Sequence, residues 1–459
     1  RTSHNMPAPE LVELCDEMGV MLMVEPFDDW GYKPKSPNGY GAFFNEWAER
    51  DMTNMLMQYR NNPSVVMWSI GNEVPSQWSP DGISELTMLQ DIVKALDPTR
   101  PVTCGMNHVD PVIDNGFATA LDIPGFNYKP QFYESAYGRL PQRLILGSET
   151  ASTVSSRGVY HFPVSFEKEH NMVTHSDNQS SGYDNEACDW SNTPDIDFLM
   201  DEQPWVLGQF VWTGFDYLGE PTPYDTDAWP SHSSLFGIVD LASLPKDRYY
   251  LYRSHWNETD ATLHILPHWN WKGHEGEIIP VFVYTSYPKA ELFINGKSQG
   301  VREKNDSTLQ TRYRLMWNET VYEPGELKVV AFDNNGKPVS EKIVRTAGKP
   351  HHLIATSSRD VLAADGEDLS YITIQVADKD GNIVPTDNRR VKFAVNGAGK
   401  FEATANGDPT CLLPFQNSEM DLFSGAATAI VRSSDHPGTI TFTAKASGVK
   451  PVTLTIDVK

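Results

Sequence analysis

Residues Val65–Pro75 read VVMWSIGNEVP, an apolar run from Val65 to Trp68 that continues through Ser69, Ile70 and Gly71 and stops at Asn72 and Glu73. A run without polar alternation is what a strand buried on both faces requires, the pattern of a parallel sheet covered by helices. A carboxylate at the end of such a strand needs a reason. Desolvation there favours its neutral form, which makes Glu73 a candidate general acid. Taken alone, an Asn-Glu pair at a strand end is more simply a helix cap or a partner for an arginine.

Working outward, Leu144–Thr150, LILGSET, repeats the arrangement, with an apolar run, a Gly-Ser step and then Glu149. Two buried strands that each deliver a glutamate at the C-terminal end are what a parallel barrel offers its active site. A converging pair of carboxyls can cleave a glycosidic bond, one as acid/base and the other as nucleophile.

The stretches between these strands alternate in type. Glu10–Met18 carries Leu11, Leu14, Cys15 and Met18 at helical spacing and predicts a helix packed on that face; Gly19 ends it, and Val20–Val24 reads as the next strand. Phe44–Arg60 and Ile83–Leu96 read as helices, Val102–Asn107, Leu121–Tyr128 and Val206–Trp212 as strands, and the polar stretch Ser152–Pro204 as an insertion. With Arg1–His4 counted as a strand end already in progress, seven strands are expected, and an eighth with its helix is expected upstream of Arg1. Beyond Trp256 helical periodicity stops. Short strands near 278–285, 290–295, 311–317 and 327–333 are punctuated by Asn295-Gly296, Pro324-Gly325 and Asn335-Gly336, and six more follow between 353 and 458. The expected architecture is α/β plus all-β: a (β/α)8 TIM barrel over residues 1–256, an immunoglobulin-like β-sandwich over 257–347 and a second over 348–459.

With 61 acidic against 37 basic residues, the formal charge of −24 excludes a nucleic-acid partner on electrostatic grounds. A neutral sugar is compatible. The four cysteines have no CxxC or metal-finger spacing, so neither a disulfide framework nor a zinc finger is expected. No apolar run reaches the ~20 residues of a membrane span.

RTSHNMP (1–7), MVEPFDDW (23–30), NPSVVMWSIGNEV (62–74), LILGSET (144–150), QFVWTGFDYLGEPTPY (209–224) and AELFINGKSQG (290–300), in this order, resemble glycoside hydrolase family 2, in particular its β-galactosidases of the Bacteroidetes type. The resemblance implies a retaining enzyme with Glu73 as acid/base and Glu149 as nucleophile. It also implies substrate contacts from His4, Asn5, Glu25, Asn72, Asn127 and Tyr128, with Tyr128 bonded to the nucleophile and Trp212 as a platform under the sugar; a core indole is the simpler reading of Trp212. Departures accompany it. Val24 and Pro26 flank Glu25 where the family has other residues, and Asp29 and Gly31 stand where some members place a Glu and a His for Mg²⁺. The ligand set is therefore incomplete, and no cofactor is expected, with Mg²⁺ left open.

The expected reaction is hydrolysis of terminal non-reducing β-D-galactosides in an oligosaccharide or glycan, through a covalent glycosyl-enzyme. β-Glucuronidase and β-mannosidase share the catalytic pair and stay open, as does a non-catalytic carbohydrate-binding protein. The resemblance implies a periplasmic or secreted location and upstream domains of the same enzyme as partners. A homo-oligomer is left open.

Overall fold

The computed structural model describes residues 1–459 except 80–81, 168–172 and 225–227. The chain divides into two compact units, Arg1–Ser152 with Trp190–Trp212, and Thr153–Asp189 with Thr213–Lys459.

The first unit is a parallel sheet of six strands in sequential order: β1 (Leu22–Val24), β2 (Val65–Asn72), β3 (Val102–Met106), β4 (Ile123–Asn127), β5 (Ile145–Thr150) and β6 (Val206–Val211). Sequential order is barrel topology, since a doubly wound sheet reverses its order at a switch point. Strands β3, β4 and β5 are buried at every residue, the polar Thr103, Asn127, Ser148, Glu149 and Thr150 included. Helices α1 (Pro9–Met18), α2 (Phe44–Tyr59) and α3 (Gly82–Leu96) cover the sheet through one core that includes Val12, Met52, Leu56, Leu86, Leu89 and Trp68.

Two expectations are corrected here. Arg1–His4 is not a strand: Thr2 donates one backbone hydrogen bond to Met23, and the chain then turns as the Asn5 N–H bonds back to Thr2. The sheet therefore has six strands among the described residues, not seven. Helix α1 is present, with Pro9 in its first turn and Gly19 at φ 72° closing it, but its buried residues are Val12 and Cys15. Leu11, Leu14 and Met18 are exposed. Of the face that the spacing predicts, Cys15 alone is buried, and Val12 joins it in the core.

In the second unit two sandwiches each have their own core. One pairs the sheet Lys297–Glu303, Lys289–Ile294, Glu326–Phe332, Pro338–Arg345 with the sheet Leu315–Trp317, Val281–Thr285, Leu263–Leu266. Asn295 and Gly296, at φ 48° and 78°, form the two-residue turn that joins Lys289–Ile294 to Lys297–Glu303 in the handedness a hairpin needs. Residues 311–313, expected as strand, belong to a short helix, Leu309–Tyr313, whose Thr308 and Thr311 side chains form a reciprocal cap. The other sandwich has sheets of four and five strands spanning His352–Val458.

Candidate active site

All the catalytic and substrate-binding candidates lie in the first unit, most of them at the carboxyl ends of its strands. Glu73 follows the last residue of β2 at φ 45°, and Tyr128 follows the last residue of β4 at φ 55°. Residues with a Cβ rarely occupy that region, and such strain concentrates at functional sites. Each is held there by the sheet: the Glu73 N–H bonds Gly105 O at 2.7 Å and the Tyr128 N–H bonds Glu149 O at 2.9 Å.

Glu149, near the end of β5, is 5% exposed and gripped on both oxygens. Oε1 accepts from Arg1 Nη1 at 2.8 Å, with His4 Nε2 at 3.7 Å, and Oε2 accepts from the Tyr128 hydroxyl at 2.8 Å. Burial pushes this carboxyl up from its ordinary range; Arg1 and His4 pull it down, Glu73 pushes it up and the Tyr128 hydrogen bond pulls it down, leaving it raised. Burial, and then the neighbouring Glu149, drive the Tyr128 phenol well above its usual range, so it stays a neutral donor. The expectation that desolvation falls on Glu73 is not met: Glu73 is partly exposed, and the buried member of the pair is Glu149.

Arg1 is the centre of the arrangement, and reading the sequence did not single it out. Its Nε and Nη2 donate to Glu25 Oε2 at 3.0 and 2.7 Å, Nη2 also to Asn72 Oδ1 at 2.8 Å, and Nη1 also to the Ser148 carbonyl at 2.8 Å. The guanidinium fork thus ties the ends of β1, β2 and β5 together. Glu25 is fully buried behind it and further accepts from Ser69 Oγ at 2.5 Å and meets His4 Nδ1 at 2.5 Å. Burial acts to raise the Glu25 carboxyl, but the Arg1 charge and the contacts with His4 and Ser69 outweigh it and hold it at about 2. Asn127 completes the link: its Nδ2 donates to Asn72 Oδ1 at 2.8 Å and Glu73 Oε1 at 3.0 Å, while its Oδ1 accepts from Ser148 Oγ at 2.7 Å. One amide therefore spans from the carboxyl that follows β2 to the strand that carries Glu149.

The His4 ring stacks on Trp212 with centroids 5.5 Å apart and planes 12° from parallel. Asn5 is exposed, and the network described above does not include its side chain. Glu25 is fully buried and supports Arg1 and His4. Lys35, which the sequence reading passed over, reaches in from the loop after β1, its Nζ donating to the Asn72 carbonyl at 2.6 Å and pairing with Asp28 at 3.3 Å. Asp29 spends its two oxygens on the backbone N–H groups of Lys35 and Gly41, at 3.0 and 3.1 Å, and so shapes this loop.

The model of the glycosyl hydrolases family 2 TIM barrel domain matches residues 1–173, that of the glycoside hydrolase family 2 C-terminal domain 5 matches residues 353–455, and a domain of unknown function matches residues 276–340. The chain is 38% identical to β-galactosidase BoGH2A of Bacteroides ovatus, over 99% of this chain and 56% of that protein. It is 30% identical to a putative β-glucuronidase of Formosa agariphila, over 95% of this chain and 42% of that one. The chain thus spans about half the length of these curated relatives. Among solved structures, a β-glycosidase from Bacteroides vulgatus superposes with a TM-score of 0.86 at 32% identity, over all of this chain and 59% of that one. A sequential parallel sheet with glutamates at the ends of β2 and β5, matched along nearly its whole length by such relatives, places the chain in one family: it belongs to glycoside hydrolase family 2.

Proposed function

We propose that the protein hydrolyses terminal β-D-galactosides with retention of configuration. Glu149 attacks the anomeric carbon as Glu73 gives its proton to the departing glycosidic oxygen. The glycosyl ester on Glu149 is then cleaved by a water that Glu73 deprotonates. The observation that carries this reading is the unequal treatment of the two carboxyls. Glu149 is buried and held on both oxygens by Arg1 and Tyr128, as a nucleophile that must be aimed requires, while Glu73 is partly open and has Asn127 on one oxygen, as a group that trades protons with leaving group and water requires. Asn72, held by Arg1 and Asn127, is the group for the sugar 2-hydroxyl, and Trp212 with His4 supplies the apolar wall.

The reaction needs no metal in this proposal: both oxygens of Asp29 already serve backbone donors, and Gly31 offers no ligand. Among the described residues no helix is long and apolar enough to cross a membrane, and the periplasm or the exterior is the proposed compartment. A second reading, β-glucuronidase, draws support from the Lys35 ammonium beside Asn72, a cation that a uronate carboxylate would seek, although Asp28 partly neutralises it.

A panel of nitrophenyl β-glycosides separates the readings. Hydrolysis led by the galactoside, with the β-anomer released first, is the expected result. Preference for the glucuronide would replace the substrate assignment, and no hydrolysis of any glycoside would leave a carbohydrate-binding protein.

A further inference from the structure

Outside the strand-end cluster, the second unit brings three metal-ligating side chains together. One ligand atom from each of His161, His175 and Glu186 lies within 4.8 Å of the other two. All three belong to Thr153–Asp189, a segment in which the described residues form no helix and one isolated bridge, Thr153 to Ala187. We infer that His161, His175 and Glu186 are the ligands of a structural divalent transition cation, Zn²⁺ by the character of the donors.

Two of the three ligands, His161 and Glu186, are oriented by a group behind them. His161 Nε2 bonds Asp177 Oδ2 at 3.0 Å, and its other nitrogen, Nδ1, is buried without a hydrogen-bond partner. A carboxylate that fixes one imidazole nitrogen as the N–H leaves the other with a lone pair, which is the outer-shell arrangement of zinc-bound histidines. His175 Nε2 meets Glu186 Oε1 at 2.9 Å, and Glu186 Oε2 accepts the Ser181 N–H at 3.0 Å. Glu186 is 4% exposed while the two imidazoles are 20% and 23% exposed, so the carboxylate is preformed at the bottom and an ion can enter past the rings. The rings stack with centroids 3.6 Å apart and planes 23° from parallel.

Two imidazoles and a carboxylate suit Zn²⁺, whereas Mg²⁺ and Ca²⁺ prefer a shell of oxygens. Tetrahedral coordination with bonds near 2.1 Å sets ligand atoms about 3.4 Å apart, so the cluster has to close slightly, which rotation of the imidazoles supplies. The gain is cross-linking: ligands at 161, 175 and 186 tie three points of a segment whose described residues form no helix or extended strand. The site lies apart from Glu73 and Glu149 in sequence and does not rest on the proposed reaction.

The test uses the full chain without a histidine tag, stripped with chelator, and Zn²⁺ or Co²⁺ alone as probe. The expected result is about one equivalent of Zn²⁺ kept through desalting, a visible d–d band with Co²⁺, and a thermal midpoint raised by about 5 °C at saturating Zn²⁺. His161→Gln combined with His175→Gln should abolish all three while far-UV circular dichroism stays unchanged. Should that variant not fold, protection of the wild-type histidines from diethyl pyrocarbonate by Zn²⁺, read residue by residue, decides instead: protection of His161 and His175 supports the site. No retained ion and no d–d band in the wild type, a folded double variant that keeps the ion, or protection confined to other histidines would each overturn it.

Discussion

The ends of β2 and β5 carry the same residue in nearly the same local sequence, yet the tertiary structure treats them in opposite ways. After β2, Glu73 turns into the left-handed region, stays partly exposed and meets the amide of Asn127. On β5, Glu149 is enclosed, with a guanidinium on one oxygen and a phenol on the other. Two glutamates at strand ends become chemically distinct through the groups that reach Glu149: Arg1 from the segment before α1, itself backed by Glu25 after β1, and Tyr128 from the residue after β4. The lesson is that role is set by the donors and charges assembled around a carboxyl, and those arrive from far away in the chain.

The sharpest way to break the comparison is to exchange the carboxyls for inert groups and compare the losses. Glu149→Gln should cost on the order of 10⁵-fold in kcat with an unchanged fold, because an amide cannot form the glycosyl ester. A fluoro-sugar that traps the intermediate should label Glu149, and mass-spectrometric mapping to Glu25 or Glu73 would refute the assignment. Glu73→Ala should lose about 10²- to 10⁴-fold on substrates with poor leaving groups, much less on a dinitrophenyl glycoside, and recover in part with azide. Equal loss on every leaving group, unrelieved by azide, would mean the two ends do not differ as described.

Removing the buried support tests how the Glu149 end is held. Glu25→Gln removes the carboxylate on Arg1 Nε and Nη2, leaves Glu149 as its remaining charged partner, and should destabilise the fold by about 1 to 3 kcal/mol, measured by denaturant unfolding. The sign with pH follows from the depressed value. With Glu25 held at about 2 in the fold against an ordinary 4.5, its stabilisation is complete above about pH 4.5 and is lost as pH falls toward 2. Stability that is flat across that window in the wild type would show that the fold does not hold the Glu25 carboxyl below its ordinary range. The smallest effect is expected from Tyr128→Phe, about 10- to 10²-fold in kcat/KM. The Tyr128 hydroxyl lowers the Glu149 carboxyl, so its loss should raise it further and move the acid limb of the rate profile to higher pH. An unmoved limb would remove Tyr128 from the account.

How much was legible beforehand follows the range of the interactions involved. The strand ending at Asn72 and the strand carrying Glu149 could be read because burial on both faces imposes unbroken apolar runs, and the hairpin at Asn295-Gly296 could be read because only certain residues accept its backbone angles. Those constraints act within a few neighbours, and local sequence determines them. Helix α1 could be located for the same reason, but which of its residues are buried could not, since that depends on the surface it meets. Arg1–His4 reads as a strand but is not one because pairing is a property of two strands, and here the neighbouring strand is reached through a single backbone bond and the Arg1 side chain. Arg1, Lys35 and Ser148 escaped notice, and the burial expected on Glu73 fell on Glu149. Each of these depends on contacts among residues from 21 to 148 positions apart, whose energies exist only once the sheet has brought the strand ends together.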